Sequence, residues 1–149
     1  MHKILFVCHG NICRSPLAEF IMKNLVKKEG LENDFYIASC ATSTEEIGNR
    51  VYPPIARILD RLGIDYSEKR ATQVKKSDYE KYDYLICMDA NNIRNLSRII
   101  GNDTENKVHL LLDFADGGYV ADPWYSDDFE TCLNDITRGC EALLEKLKQ

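Results

Sequence analysis

The strongest constraint on the fold lies at the start of the chain, where an apolar run ends in a small-residue turn and a helix start. Lys3–Val7 reads as a strand covered on both faces, because polar residues do not alternate with its apolar ones. Cys8-His9-Gly10-Asn11-Ile12-Cys13-Arg14 follows directly. Ser15-Pro16 then reads as a helix N-cap with proline at the first helical position. Leu17, Phe20, Ile21 and Leu25 recur at helical spacing, and Gly30 supplies the stop. A buried strand that turns tightly into a helix is the opening unit of an α/β sheet.

The rest of the chain repeats that alternation. Further strands are predicted at Phe35–Ser39, Tyr82–Met88 and Val108–Phe114. Helices are predicted from Pro53-Pro54 to Gly63 and over Ala90–Ile100, closed by Gly101. The last helix carries the apolar stripe Phe129, Leu133, Ile136, Cys140, Leu143, Leu144 and Leu147, with Asp127 as its cap and Glu130 three residues on. Cys40–Arg50 and the glycine-rich Asp116–Trp124 read as loops, and Asp65–Ser77 shows no clear period. The expected fold is one α/β domain over residues 1–149: a four-stranded parallel sheet, order 2-1-3-4, with helices on both faces. In such sheets ligands bind beyond the carboxyl ends of the strands. The segments beginning near Cys8, Cys40, Asp89 and Ala115 should therefore meet at one edge.

Composition removes several function classes. A formal net charge of -5 argues against a nucleic-acid partner. No run is long enough to span a bilayer, and Met1–Val7 is too short for an export signal, so no membrane partner and a cytoplasmic location are expected. The six cysteines are then expected as free thiols, with Cys40, Cys87, Cys132 and Cys140 as small core residues. No Cys-x-x-Cys pair occurs and His2, His9 and His109 are scattered, so neither a metal nor another cofactor is expected.

Against that background the Cys8–Ser15 loop carries the chemistry. A tight loop entering a helix aims several backbone N–H groups inward, and the helix dipole adds positive potential. Such a nest binds a phosphate dianion and stabilises a thiolate. Cys8 is thus a candidate nucleophile, and Arg14 offers a planar fork to two phosphoryl oxygens, which a lysine cannot match. Gly10 and Asn11 tolerate positive φ. Ser15 can cap the helix, hydrogen-bond the Cys8 sulfur, or do both. Cys13 is either a small buried residue or a redox partner whose disulfide with Cys8 would guard against over-oxidation.

Two motifs carry a family resemblance: Val7-Cys8-x-Gly10-Asn11-Ile12-Cys13-Arg14-Ser15-Pro16 and Asp122-Pro123-Trp124-Tyr125. Ser39 with Ala41-Thr42-Ser43, Ile47-Gly48-Asn49 and Met88-Asp89 support them. In this order they resemble the low-molecular-weight protein tyrosine phosphatases over nearly the whole chain. The resemblance implies that Cys8 forms a phosphocysteine, that Arg14 binds phosphate, and that Asp122 is the general acid and then the base. His9, Gly10, Asn11, Ile12, Cys13 and Ser15 complete the phosphate loop, which Asn11, Ser15 and Ser39 brace. Glu45, Asp89, Trp124 and Tyr125 are expected around the substrate, the two aromatic residues walling a slot for a ring. Asp122 also has a chemical case of its own, since a phenolate leaving group needs a proton from a carboxyl at the site mouth.

The implied substrates are phosphotyrosine-containing proteins or small aryl phosphates, turned over by a monomer or weak dimer. His9, Glu45, Lys69 and Thr72 depart from the residues common in the family and bear on substrate preference. Two other activities share this loop. An arsenate reductase of the thioredoxin-linked kind needs a second resolving cysteine close after Cys87, and none follows. A phosphoarginine phosphatase carries a small hydroxyl residue where Ile12 stands, so Ile12 favours phosphotyrosine.

Overall fold

The computed structural model describes residues 1–148. Its first strand, β1 (His2–Cys8), is buried from Ile4 to Cys8. Strand alternation sends Ile4, Phe6 and Cys8 to one face and Leu5 and Val7 to the other. Both faces are covered, which is why the run reads as continuously apolar. The other strands are β2 (Phe35–Ala41), β3 (Tyr84–Cys87) and β4 (Val108–Leu110). All pairings are parallel and the order is β2-β1-β3-β4, as expected. The family-like single-domain α/β architecture stands.

On one face lie α1 (Arg14–Lys28), α2 (Pro53–Arg61) and α6 (Phe129–Lys148), packed through Leu17, Met22, Ile55, Ile136 and Leu143. On the other, α4 (Ala90–Ile100) brings Leu96 and Ile100 onto Leu5, Val7, Leu85 and Cys87. Two short helices complete the chain, α3 (Asp78–Lys81) and α5 (Pro123–Ser126). Among the described residues no helix is long and apolar enough to cross a membrane.

Four local expectations need correction. The fourth strand stops at Leu110, and Leu111–Phe114 is a 3-10 turn. That turn drives Leu111 into the core against α6, so close to Gly139 that a Cβ there would lie 2.5 Å from the Leu111 Cγ. The apolar residues after Leu110 serve packing in a turn, not pairing in a ladder. The third strand is also shorter than predicted, because Tyr82 ends α3. The first helix starts at Arg14 with Cys13 as its uncapped N-cap, so neither Ser15 nor Pro16 holds the expected position. Finally, Asp127 is left-handed at φ 59, and Asp128 caps α6 by accepting from the Thr131 N–H and hydroxyl.

Candidate active site

The loop between β1 and α1 is held by side chains rather than by a helix cap. Asn11 is left-handed at φ 60 and almost wholly buried. Its carbonyl oxygen accepts from the Thr72 N–H at 3.1 Å. Its amide nitrogen donates to Ser15 Oγ at 2.8 Å and to Ser39 Oγ at 2.9 Å. Every hydrogen-bonding atom of the Asn11 side chain is thus used, which offsets the cost of burying it and of its strained φ. Ser15 Oγ lies 3.0 Å from Cys8 Sγ, and the Ser15 N–H points at the same sulfur at 3.4 Å. The hydroxyl that sequence alone could assign to a cap faces the thiol.

Arg14 is 3% exposed, so its charge needs close partners. Nη1 donates to Asp89 Oδ2 and to the Val120 carbonyl, each at 2.8 Å. Nη2 lies 3.5 Å from Asp122 Oδ2. Burial opposes the charge, but Cys8, Asp89 and Asp122 outweigh it and hold the guanidinium above its usual range. Asp89 itself is fixed as the N-cap of α4: its Oδ1 accepts from the Asn92 N–H, and Asn92 Oδ1 accepts from the Met88 and Asp89 N–H groups. One carboxylate oxygen caps the helix and the other aims the arginine.

Asp122 repeats that division of labour at lower burial. Oδ1 accepts from the Trp124 N–H at 3.0 Å, capping α5, while Oδ2 faces Arg14. The two carboxylates approach from the ends of β3 and of the segment after β4, so the predicted edge is where these groups meet.

Cys8, Gly10, Ile12, Cys13 and Arg14 floor a cavity of about 240 Å3. One wall is Asp122, Trp124 and Tyr125; the other is His9, Glu45 and Glu46. Trp124 packs on Tyr52 with centroids 5.1 Å apart, and Tyr52 in turn packs on Phe129. His9 Nε2 meets Glu45 Oε2 at 3.0 Å on the outer rim. Asp89, expected beside the substrate, stands behind Arg14, and Ser39 stands behind Asn11. Cys13 reaches the floor of the cavity, but burial pushes its thiol well above the usual range, with Cys132, Cys8 and Asp122 adding to the shift.

Sequence reasoning missed three contributors. The Val120 carbonyl carries no residue-type signal. Asn92 was hidden as an ordinary helix residue, although an Asn three positions after an Asp is a capping pattern. Glu19 lies four residues before Lys23, the spacing of an exposed helix pair, yet it is buried beneath the loop.

The profile of the family described as "Low molecular weight phosphotyrosine protein phosphatase" matches residues 3–149. The low molecular weight protein-tyrosine-phosphatase YfkJ of Bacillus subtilis is 38% identical over 152 residues, covering 100% of this chain and 97% of that protein. The crystal structure of YfkJ superposes with a TM-score of 0.95 over 99% of this chain and 95% of that one. The low molecular weight phosphotyrosine protein phosphatase of Gallus gallus is 43% identical, covering 96% of this chain and 94% of its own. A crystal structure described as a Drosophila arginine phosphatase is 28% identical with a TM-score of 0.89, over 99% of this chain and 98% of that one.

Proposed function

The chain belongs to the low molecular weight phosphotyrosine protein phosphatase family, and we propose that it hydrolyses phosphotyrosine monoesters through a phosphocysteine on Cys8. The observation that carries this reading is one shared cavity. The Cys8 sulfur and the Arg14 guanidinium lie at its floor and the Asp122 carboxyl in its wall.

The phosphoryl group sits over Cys8, cradled by the loop N–H groups and the Arg14 fork. The Cys8 thiolate attacks phosphorus as the P–O bond to the phenol breaks. Asp122 gives its proton to the departing phenolate from Oδ2, because Oδ1 is tied to the Trp124 N–H. Arg14 meets the charge that spreads over the equatorial oxygens. Water then attacks the phosphocysteine and yields its proton to the Asp122 carboxylate. The P–S bond breaks, and Ser15 Oγ, 3.0 Å from the sulfur, receives the leaving thiolate with a hydrogen bond. The products are tyrosine and inorganic phosphate. Phosphotyrosine-containing proteins or small aryl phosphates fit the slot beside Trp124 and Tyr125.

The phosphoarginine reading draws support from the Drosophila relative, and the apolar Ile12 in the cavity floor favours an aryl ring over a guanidinium. The deciding experiment measures phosphotyrosine, phosphoarginine, phosphoserine and arsenate turnover with a metal chelator present. Phosphotyrosine is expected to lead, and Cys8→Ser to abolish its turnover. Undiminished turnover in Cys8→Ser would end the mechanism.

A further inference from the structure

The chemistry above uses only one wall of the cavity. Asp122, Trp124 and Tyr125 form the wall that meets the leaving group. His9, Glu45 and Glu46 form the other, and no step of the reaction needs them. That second wall is tied to the phosphate loop at both ends. The Ser43 N–H donates to the His9 carbonyl at 3.0 Å, and the Tyr52 N–H donates to the Ile12 carbonyl at 2.8 Å. Between them the Gly48 N–H donates to the Ala71 carbonyl at 2.9 Å. The Glu46 stem lies over Gly10, where a Cβ would stand 3.4 Å from the Glu46 Cγ.

Each carboxylate of this wall is held by one oxygen. Glu45 Oε2 meets His9 Nε2 at 3.0 Å, and Glu46 Oε2 accepts from Asn49 Nδ2 at 2.6 Å. Among the described residues neither Oε1 has a hydrogen-bond partner. Even a charged His9 would leave the wall negative, with two carboxylates against one cation. A phosphotyrosine whose phosphate sits over Cys8 brings its neighbours in the peptide past this rim. A lysine or arginine there meets two open carboxylate oxygens, whereas an aspartate or glutamate is repelled. We infer that Glu45 and Glu46 select phosphotyrosine flanked by basic residues. This rests on the phosphotyrosine reading and narrows it to one class of peptide.

The test compares two phosphotyrosine peptides of equal length, one with lysines and one with glutamates beside the phosphotyrosine, by release of inorganic phosphate. Exposed ion pairs are individually weak, so the wild-type kcat/KM ratio is expected to favour the lysine peptide about tenfold at low salt. It should shrink to about twofold near 0.5 M salt. Glu45→Gln/Glu46→Gln should bring the low-salt ratio below about twofold, and Glu45→Lys/Glu46→Lys should reverse it. Both peptides are measured on one preparation, so any loss of folded protein cancels in the ratio. A wild-type ratio below about twofold at low salt would overturn the inference, as would a ratio that ignores salt or survives the double glutamine substitution. Failure of the wild type to hydrolyse either peptide would instead overturn the phosphotyrosine reading, and this inference with it.

Discussion

The two segments that meet over the cavity are built to opposite standards. The Cys8–Ser15 loop is anchored on buried side chains: Asn11 and Ser15 are at most 1% exposed and Arg14 3%. Its polar side chains are tied to β2, to the first turn of α1, to the Thr72 backbone and to the cap of α4. The Asp122–Ser126 segment is the four-residue helix α5 and its N-cap Asp122, held by that one carboxylate cap and by Trp124 leaning on Tyr52. Trp124 and Tyr125 are 57% and 86% exposed. The difference matches the two tasks. Phosphate has one shape in every substrate, so its cradle gains from rigidity. The leaving group and its surroundings vary, so the segment that meets them gains from freedom.

Substitutions should therefore divide by region. The largest effect is expected at Arg14. Arg14→Lys removes the fork and leaves Asp89 and the Val120 carbonyl without their planar donor, so kcat should fall by about a thousandfold for every substrate. Steady-state kinetics on phenyl phosphate and p-nitrophenyl phosphate check this; a loss confined to one substrate would contradict a shared cradle. Next comes Asp122→Ala. It should slow phenyl phosphate about a hundredfold and p-nitrophenyl phosphate far less, since the better leaving group needs little help from an acid. Equal slowing would move Asp122 out of the acid role. Asn11→Ala should act on stability as well as rate. It strands Thr72 N–H and Ser39 and puts alanine at φ 60, for a loss of about 2–3 kcal/mol read by urea denaturation. A loss below about 0.5 kcal/mol would mean the loop is less tightly determined than its hydrogen bonds indicate.

The same contrast decides what was legible in the sequence. The loop could be read because its residues are contiguous and its flanks are periodic: β1 before, α1 after. The four parallel strands and the converging edge followed from alternation and parallel topology. Contacts across the chain could not be read. Glu19 has the spacing of an exposed helix pair, and only the fold puts Ser39 above it. Leu111 and Leu112 are as apolar as strand residues, and only the approach of Gly139 shows that a 3-10 turn is required. The cap of α6 lay one residue from the expected Asp127, because two aspartates adjoin and periodicity does not distinguish them.

The smallest effect tests whether the two regions are parts of one cooperative unit, and it is read at Cys132. It is buried in the first turn of α6, within electrostatic reach of Arg14, Cys8 and Asp122. Burial pushes its thiol from 9.0 up to about 12. A thiol whose pKa is higher folded than unfolded adds stability that is complete below the unfolded value and lost as pH rises through the folded one. The window here runs from about pH 9 to about 12. Stability should thus fall over that range, and Cys132→Val, which cannot ionise, should recover about 1 kcal/mol near pH 10 while changing little near pH 7. Cys13 and Cys140 are pushed up in the same way, so the variant slows the decline without removing it. The chain has one tryptophan, Trp124, whose fluorescence reports the acid-bearing segment, whereas far-ultraviolet circular dichroism reports the whole fold. Coincident alkaline transitions would join the two regions in one unit. A fluorescence change preceding the loss of helix would show the Asp122 segment opening first, as its single cap and exposed aromatic residues lead us to expect.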